Sequence, residues 1–130
     1  MARVFVDTSA IYALIDKDDV RHRDSRAGFD RLKKSRSEPL ITNFIVAECH
    51  ALLLARLGAD LARAWLLGNV WPVERLTVED EVAARGIVAA YTDKTFSYTD
   101  ATSFAVMKRL GMRRALAFDR HFQQFGFESA

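Results

Sequence analysis

RVFVDTSAIYALI, residues 3–15, changes its periodicity halfway along, and that change decides the fold class. Arg3 to Val6 is a short apolar run of the kind that forms a buried strand. Thr8 to Ile15 then places Ile11, Tyr12, Leu14 and Ile15 at the spacing of one helix face. Asp7 stands at the junction, where a carboxylate can cap the helix that follows.

The same alternation recurs along the chain. A polar break at Lys17, Asp18 and Asp19 leads into a second helix through Phe29 and Leu32, which the stretch from Ser35 to Pro39 stops. Leu40 and Ile41 form a candidate strand, and Thr42 or Asn43 can cap a third helix carrying Phe44, Ala47, Glu48, Ala51, Leu52 and Ala55. Gly58 breaks it before a further helix that reaches Leu67, and Trp71, Val73 and Leu76 mark a short strand and its exit. Thr77 and Asp80 have the spacing of a capping box ahead of Val82, Ile87 and Ala90. Ser97 stands likewise three residues before Asp100, at the start of a helix with Ala101, Phe104, Ala105 and Met107. Gly111 ends that helix, and Ala115 to Phe118 is an apolar strand with Asp119 directly after it. Phe122, Phe125 and Phe127 either close the core or add an edge strand. Strands separated by helices predict a three-layer α/β domain around a mostly parallel sheet, with ligands beyond the carboxyl ends of its strands.

The 130 residues, half of them hydrophobic, suit one domain spanning 1–130 with a substantial core. No run approaches the about 18 apolar residues of a membrane span, and the first residues lack a small-residue cleavage site, so neither membrane nor export is expected. The lone Cys49 cannot close an intrachain disulfide and fits a reducing cytoplasmic setting. A net charge of +2 says little about partners. Two loose basic runs, Arg21 to Arg36 and Lys108 to Arg120, are either solvated faces or footprints for a phosphate backbone. His22, His50 and His121 have no zinc-ligand spacing and are read as surface or packing residues. Neither G-x-S-x-G nor G-x-x-x-x-G-K-[ST] is present, which disfavours a serine hydrolase and a phosphate-loop NTPase.

Taken singly, Asp7, Glu48, Asp100 and Asp119 could cap helices, pair with cations or shape turns. Their joint placement, at two strand ends, a helix start and an otherwise apolar helix, favours convergence. Converging carboxylates repel one another and need protons, basic groups or metal ions, and an oxygen-rich site suits Mg²⁺ or Mn²⁺. Such ions can drive phosphodiester hydrolysis.

The blocks VFVDTSAIYALID, ITNFIVAE, FSYTDATSFAVMKRLG and ALAFDRHFQQFGF resemble, in that order, those of the PIN-domain family, particularly the VapC-type toxins of toxin–antitoxin pairs. The resemblance implies an α/β/α sandwich, a homodimer, a ribonuclease site using Mg²⁺ or Mn²⁺, and inhibition by a small antitoxin. It assigns Asp7, Glu48, Asp100 and Asp119 as the metal-holding catalytic acids. Thr8, Ser9 and Asn43 are expected to hydrogen-bond carboxylates or water, with Asp93 assisting. Arg113, Arg114 and Arg120 are expected to guide RNA phosphates if they flank the acidic crevice. Some of Ile11, Tyr12, Leu14, Ile15, Leu53, Leu57, Trp65 and Leu66 are expected to form a dimer face or antitoxin groove. A DNA nuclease, or a catalytically weak module that binds RNA or protein, is the alternative.

Overall fold

The computed structural model describes residues 2–130. The elements are β1 (Arg3–Val6), α1 (Thr8–Ile15), α2 (His22–Lys34), β2 (Glu38–Thr42), α3 (Asn43–Leu57), α4 (Ala59–Gly68), β3 (Val73–Glu74), α5 (Val78–Ala90), α6 (Tyr98–Arg109), β4 (Arg114–Leu116), α7 (His121–Phe125) and β5 (Glu128–Ser129). The strands form one sheet in the order β3-β2-β1-β4-β5, and every neighbouring pair is parallel. Successive residues of a strand face opposite sides of a sheet. Because Val4, Phe5 and Val6 are all fully buried, β1 must be covered on both faces, as a three-layer α/β/α sandwich requires.

The strand order fixes where a site can form. From β1 the chain steps outward to β2 and β3, then crosses back to β4 and β5 on the other side of β1. The direction of winding therefore reverses between β1 and β4, and a crevice opens there beyond their carboxyl ends. Asp7 follows β1 directly, and Asp119 lies three residues beyond β4.

Local chemistry explains where the boundaries differ from expectation. Pro39 sits inside β2, paired with Val4 across the sheet, although a proline stop was expected ahead of the strand. Glu38 N–H donates towards β1 and Ile41 N–H towards Pro72, so the missing amide of Pro39 faces the outer side, before β3 begins. β4 ends at Leu116 rather than Phe118. The Leu116 carbonyl accepts from Asp7 N–H and the Phe118 amide donates to Ser9 Oγ, which turns the chain out of the sheet towards the crevice. Thr42, not Asn43, caps α3 by accepting from Ile45 N–H at 3.1 Å. The final aromatic segment does both things foreseen for it: Phe122 and Phe125 lie in α7 against Phe104, and β5 adds an edge strand.

At Gly28 a Cβ would lie 2.7 Å from Leu116 Cδ1, so α2 approaches β4 more closely than a side chain there would allow. The capping box read from Thr77 and Asp80 is present, and Arg109 from the end of α6 clamps Asp80 with bonds of 2.9 Å. Burial opposes ionisation of Asp80, but the Arg109 guanidinium and the Thr77 bonds outweigh it and hold the carboxyl below its usual range. This pair locks α5 to α6, and α6 carries Asp100.

Candidate active site

Asp7, Thr8, Ser9, Glu48, Ser97, Asp100, Asp119 and His121 line one crevice of about 610 Å³, together with Ala51, Leu52 and Ala55 of α3. The four acids, far apart in sequence, thus face a common space at the reversal point of the sheet. Glu48 borders it from α3, half-buried. Asp7 is the N-cap of α1, accepting from both the amide and the hydroxyl of Ser9 on Oδ2, at 3.1 and 2.6 Å. Asp100 is the N3 residue of the α6 capping box: its Oδ2 accepts from Ser97 N–H at 3.0 Å while Ser97 Oγ accepts from its own amide. Asp119 closes a tight turn by accepting from His121 N–H on Oδ1 at 3.0 Å.

A common division of labour emerges. In each of these three carboxylates one oxygen is committed to hydrogen bonds that shape the backbone, and the other has no hydrogen-bond partner among the described residues. Those free oxygens, Asp7 Oδ1, Asp100 Oδ1 and Asp119 Oδ2, are also not sealed from solvent.

The acids repel one another across the crevice. Burial pushes the Asp7 carboxyl up to about 8, and repulsion from Asp119 and, less, Asp100 adds to this, although the Ser9 bonds pull the other way. Burial beside Glu48 and Asp7 also pushes the Cys49 thiol up to about 12, so this cysteine is an inert packing group. Thr8 Oγ1 is the one buried side-chain polar atom without a partner among the described residues, and it belongs to a residue that lines the crevice.

Ligand atoms of Asp100, Asp119 and His121 lie within 4.8 Å of one another. The spacing of His121 in the sequence points only to a surface or packing role. Its ring instead meets Asp100 Oδ2 through Nδ1 at 2.6 Å. The available signal was its place two residues after Asp119, where an Asp-x-His turn brings a ring back over the acid.

Other candidates fall elsewhere. Asn43 Oδ1 accepts from Leu76 N–H at 2.9 Å, tying α3 to the exit of β3 rather than hydrogen-bonding the acids. Asp93 is exposed and pairs with its neighbour Lys94. Arg113 and Arg114 do not flank the crevice. Arg113 precedes β4 and Arg114 is its first residue, and both line a cleft with Ala2 and Arg3 at the amino-terminal end of the sheet, whereas the site lies past the carboxyl ends of the same strands. Arg120 alone of the three is next to it, exposed between Asp119 and His121. Ile11, Tyr12 and Leu53 are core residues and cannot form a partner face. Ile11, Leu14, Ile15 and Trp65 nevertheless border a second cavity of about 280 Å³, with the exposed Val70 on its rim.

The sequence pattern of the PIN domain matches residues 4–128. The chain is 37% identical, over 95% of its length and 95% of theirs, to the 23S rRNA-specific endonuclease VapC20 of two Mycobacterium tuberculosis strains. Ribonuclease VapC26 of the same species is 31% identical over 92% of this chain and 89% of its own. A crystal structure of M. tuberculosis VapC20, described as a Sarcin-Ricin loop cleaving toxin, superimposes with a TM-score of 0.84 at 35% identity, covering 96% of each chain. With its parallel sheet, its acidic crevice and this similarity along nearly its whole length, the chain belongs to the PIN-domain family, in its VapC-type group.

Proposed function

We propose that this chain is an endoribonuclease of the VapC toxin type that requires Mg²⁺ or Mn²⁺, with Asp7, Glu48, Asp100 and Asp119 holding the metal. The observation that carries this reading is that Asp7, Asp100 and Asp119 line one crevice, each with one carboxylate oxygen free of hydrogen bonds, and that ligand atoms of Asp100 and Asp119 lie within 4.8 Å of each other. A donor set of carboxylate oxygens fits a hard divalent cation. When bound, the ion would polarise the phosphoryl oxygen and ease ionisation of the attacking water.

The chain's own groups do the rest. Ser9 fixes Asp7 and, through Phe118 N–H, also the loop carrying Asp119, so one hydroxyl sets two acids. Ala51, Leu52 and Ala55 make the α3 wall apolar, which lowers the local dielectric and strengthens each charge interaction. Arg120 is placed to meet a phosphate entering the crevice, while Arg113 and Arg114 are not. The relatives' descriptions support RNA over DNA, and structured ribosomal RNA as the substrate to test first. A homodimer and a small antitoxin belong to the same reading. The cavity bordered by Leu14, Ile15, Trp65 and Val70 is suited to an antitoxin helix with apolar anchors.

Purified chain, free of any inhibitor, is expected to cleave ribosomal RNA in Mg²⁺ or Mn²⁺, to stop on addition of a chelator, and to leave matched DNA intact. DNA cleavage alone would favour the nuclease alternative. Metal binding and RNA binding without cleavage would favour a catalytically weak binding module.

A further inference from the structure

We propose that His121 is a positioning residue that clamps Asp100 and Asp119 together, so that each presents its free oxygen to the same point. The proposal rests on the metal-holding role given above to these acids, and it concerns how they are held rather than which ion they take. His121 is the one described residue that hydrogen-bonds both: its backbone N–H donates to Asp119 Oδ1 at 3.0 Å, and ring Nδ1 lies 2.6 Å from Asp100 Oδ2. The second contact is short for a nitrogen–oxygen pair, as expected when the acceptor is an ionised carboxylate.

The ring is itself fixed by the segment that carries Asp100. Thr95 Oγ1 lies 3.3 Å from Nε2, and Phe96 meets the ring edge-on with centroids 5.6 Å apart. If Nδ1–H donates to Asp100, Nε2 is left to accept from the Thr95 hydroxyl, so both nitrogens are satisfied by the neutral ring in a single tautomer. Residues 95–100 therefore grip His121 on three sides, and α7 is docked to the start of α6 at the crevice rim.

A clamp is needed because a carboxylate turns easily about its last torsion, which has broad, two-fold minima. With only Ser97 N–H on Oδ2, the Asp100 carboxylate could swing within that broad well and carry its bare oxygen away from its place in the crevice. With Ser97 and His121 both on Oδ2, rotation breaks two hydrogen bonds at once. Oδ1 is then held as the outward atom.

The first test needs no metal. The long-range ¹H–¹⁵N spectrum of the His121 ring in the metal-free full chain should show the Nδ1–H tautomer, whereas an Nε2–H tautomer would overturn the proposal. The second reads Mn²⁺ affinity by calorimetry or electron paramagnetic resonance. His121→Ala should weaken it about tenfold to a hundredfold, the range for losing an outer hydrogen bond to a ligand. His121→Asn, whose amide N–H can reach the place of Nδ1, should restore it to near the wild-type value, and His121→Gln should not. Wild-type affinity in His121→Ala would overturn the clamp. So would an Asn variant no better than Ala, which would make the ring a direct ligand. Wild-type chain that bound no Mn²⁺ would sink the metal reading instead, and the tautomer would still decide the clamp.

Discussion

Replacing Asp100 by Asn is expected to lower RNA turnover by at least about a hundredfold, beyond the 10–100-fold typical of losing a hydrogen bond to a metal ligand, while the protein stays folded. The substitution separates the two jobs of this side chain. Its Oδ2 accepts from Ser97 N–H and meets His121 Nδ1, and an Asn carbonyl oxygen can take both contacts, so the start of α6 is retained. The other position changes from a bare anionic oxygen to an amide NH₂, which repels a cation. Removing one negative charge from a crevice where Asp100 and Asp119 already disfavour ionisation of Asp7 should leave the melting temperature unchanged or raised. Turnover of an RNA oligonucleotide and a thermal melt on the same preparation check this. Full turnover in Asp100→Asn would remove Asp100 from the chemistry, and lost turnover with a collapsed melt would make it a structural residue.

The second large effect is on stability and depends on pH. Burial, with Asp119 and Asp100 nearby, raises the Asp7 carboxyl from 3.8 to about 8. Below pH 4 the native and unfolded chains both keep this proton, and Asp7 makes no pH-dependent difference. Between pH 4 and pH 8 the unfolded chain releases it and the native chain retains it, so stability falls as pH rises, and the loss is complete above about pH 8. At about 1.4 kcal/mol for each unit the total is on the order of several kcal/mol. Asp7→Asn removes the slope but keeps the helix cap, because Asn is as good an N-cap as Asp. In metal-free buffer the variant should therefore match wild type near pH 4 and melt roughly 10 °C higher near pH 8.5, at a few degrees per kcal/mol for a chain of this size. Added Mn²⁺ should stabilise wild type and not the variant, because only the native acid cluster binds it. Parallel pH profiles for the two proteins would contradict the assignment of this repulsion to Asp7.

Much of this arrangement is legible in the sequence. The change of period at Asp7 and the apolar run ending before Asp119 placed two acids at strand ends, and a parallel sheet then required them at the same end of the fold. Ser97 and Asp100 were readable as a capping pair because that signal is local. Non-local partners were harder. His121 meets Asp100 across 21 residues, and nothing in its immediate neighbourhood specifies that Thr95 and Phe96 will hold its ring. Asn43, expected to hydrogen-bond a carboxylate or water, instead accepts from Leu76 N–H across 33 residues. The placement of Arg113 and Arg114 beside the crevice could have been rejected from sequence. They precede the strand that Asp119 follows, and the two ends of a strand face opposite poles of the molecule. The length of β3 was overestimated because Trp71 looked like a strand residue, when its ring stacks on Phe29 with centroids 5.4 Å apart and lies outside the ladder.

RNA cleavage is proposed to depend on divalent metal held by the free oxygens of the acid cluster. Anomalous diffraction from crystals of the full chain grown with Mn²⁺ tests it most directly. The account predicts a manganese peak in the crevice bounded by Asp7, Glu48, Asp100 and Asp119, contacting the unbonded oxygens of Asp7, Asp100 and Asp119, and absent from Asp100→Asn crystals under the same conditions. A fully occupied peak elsewhere, with the crevice holding only water at Mn²⁺ concentrations that support cleavage, would contradict it.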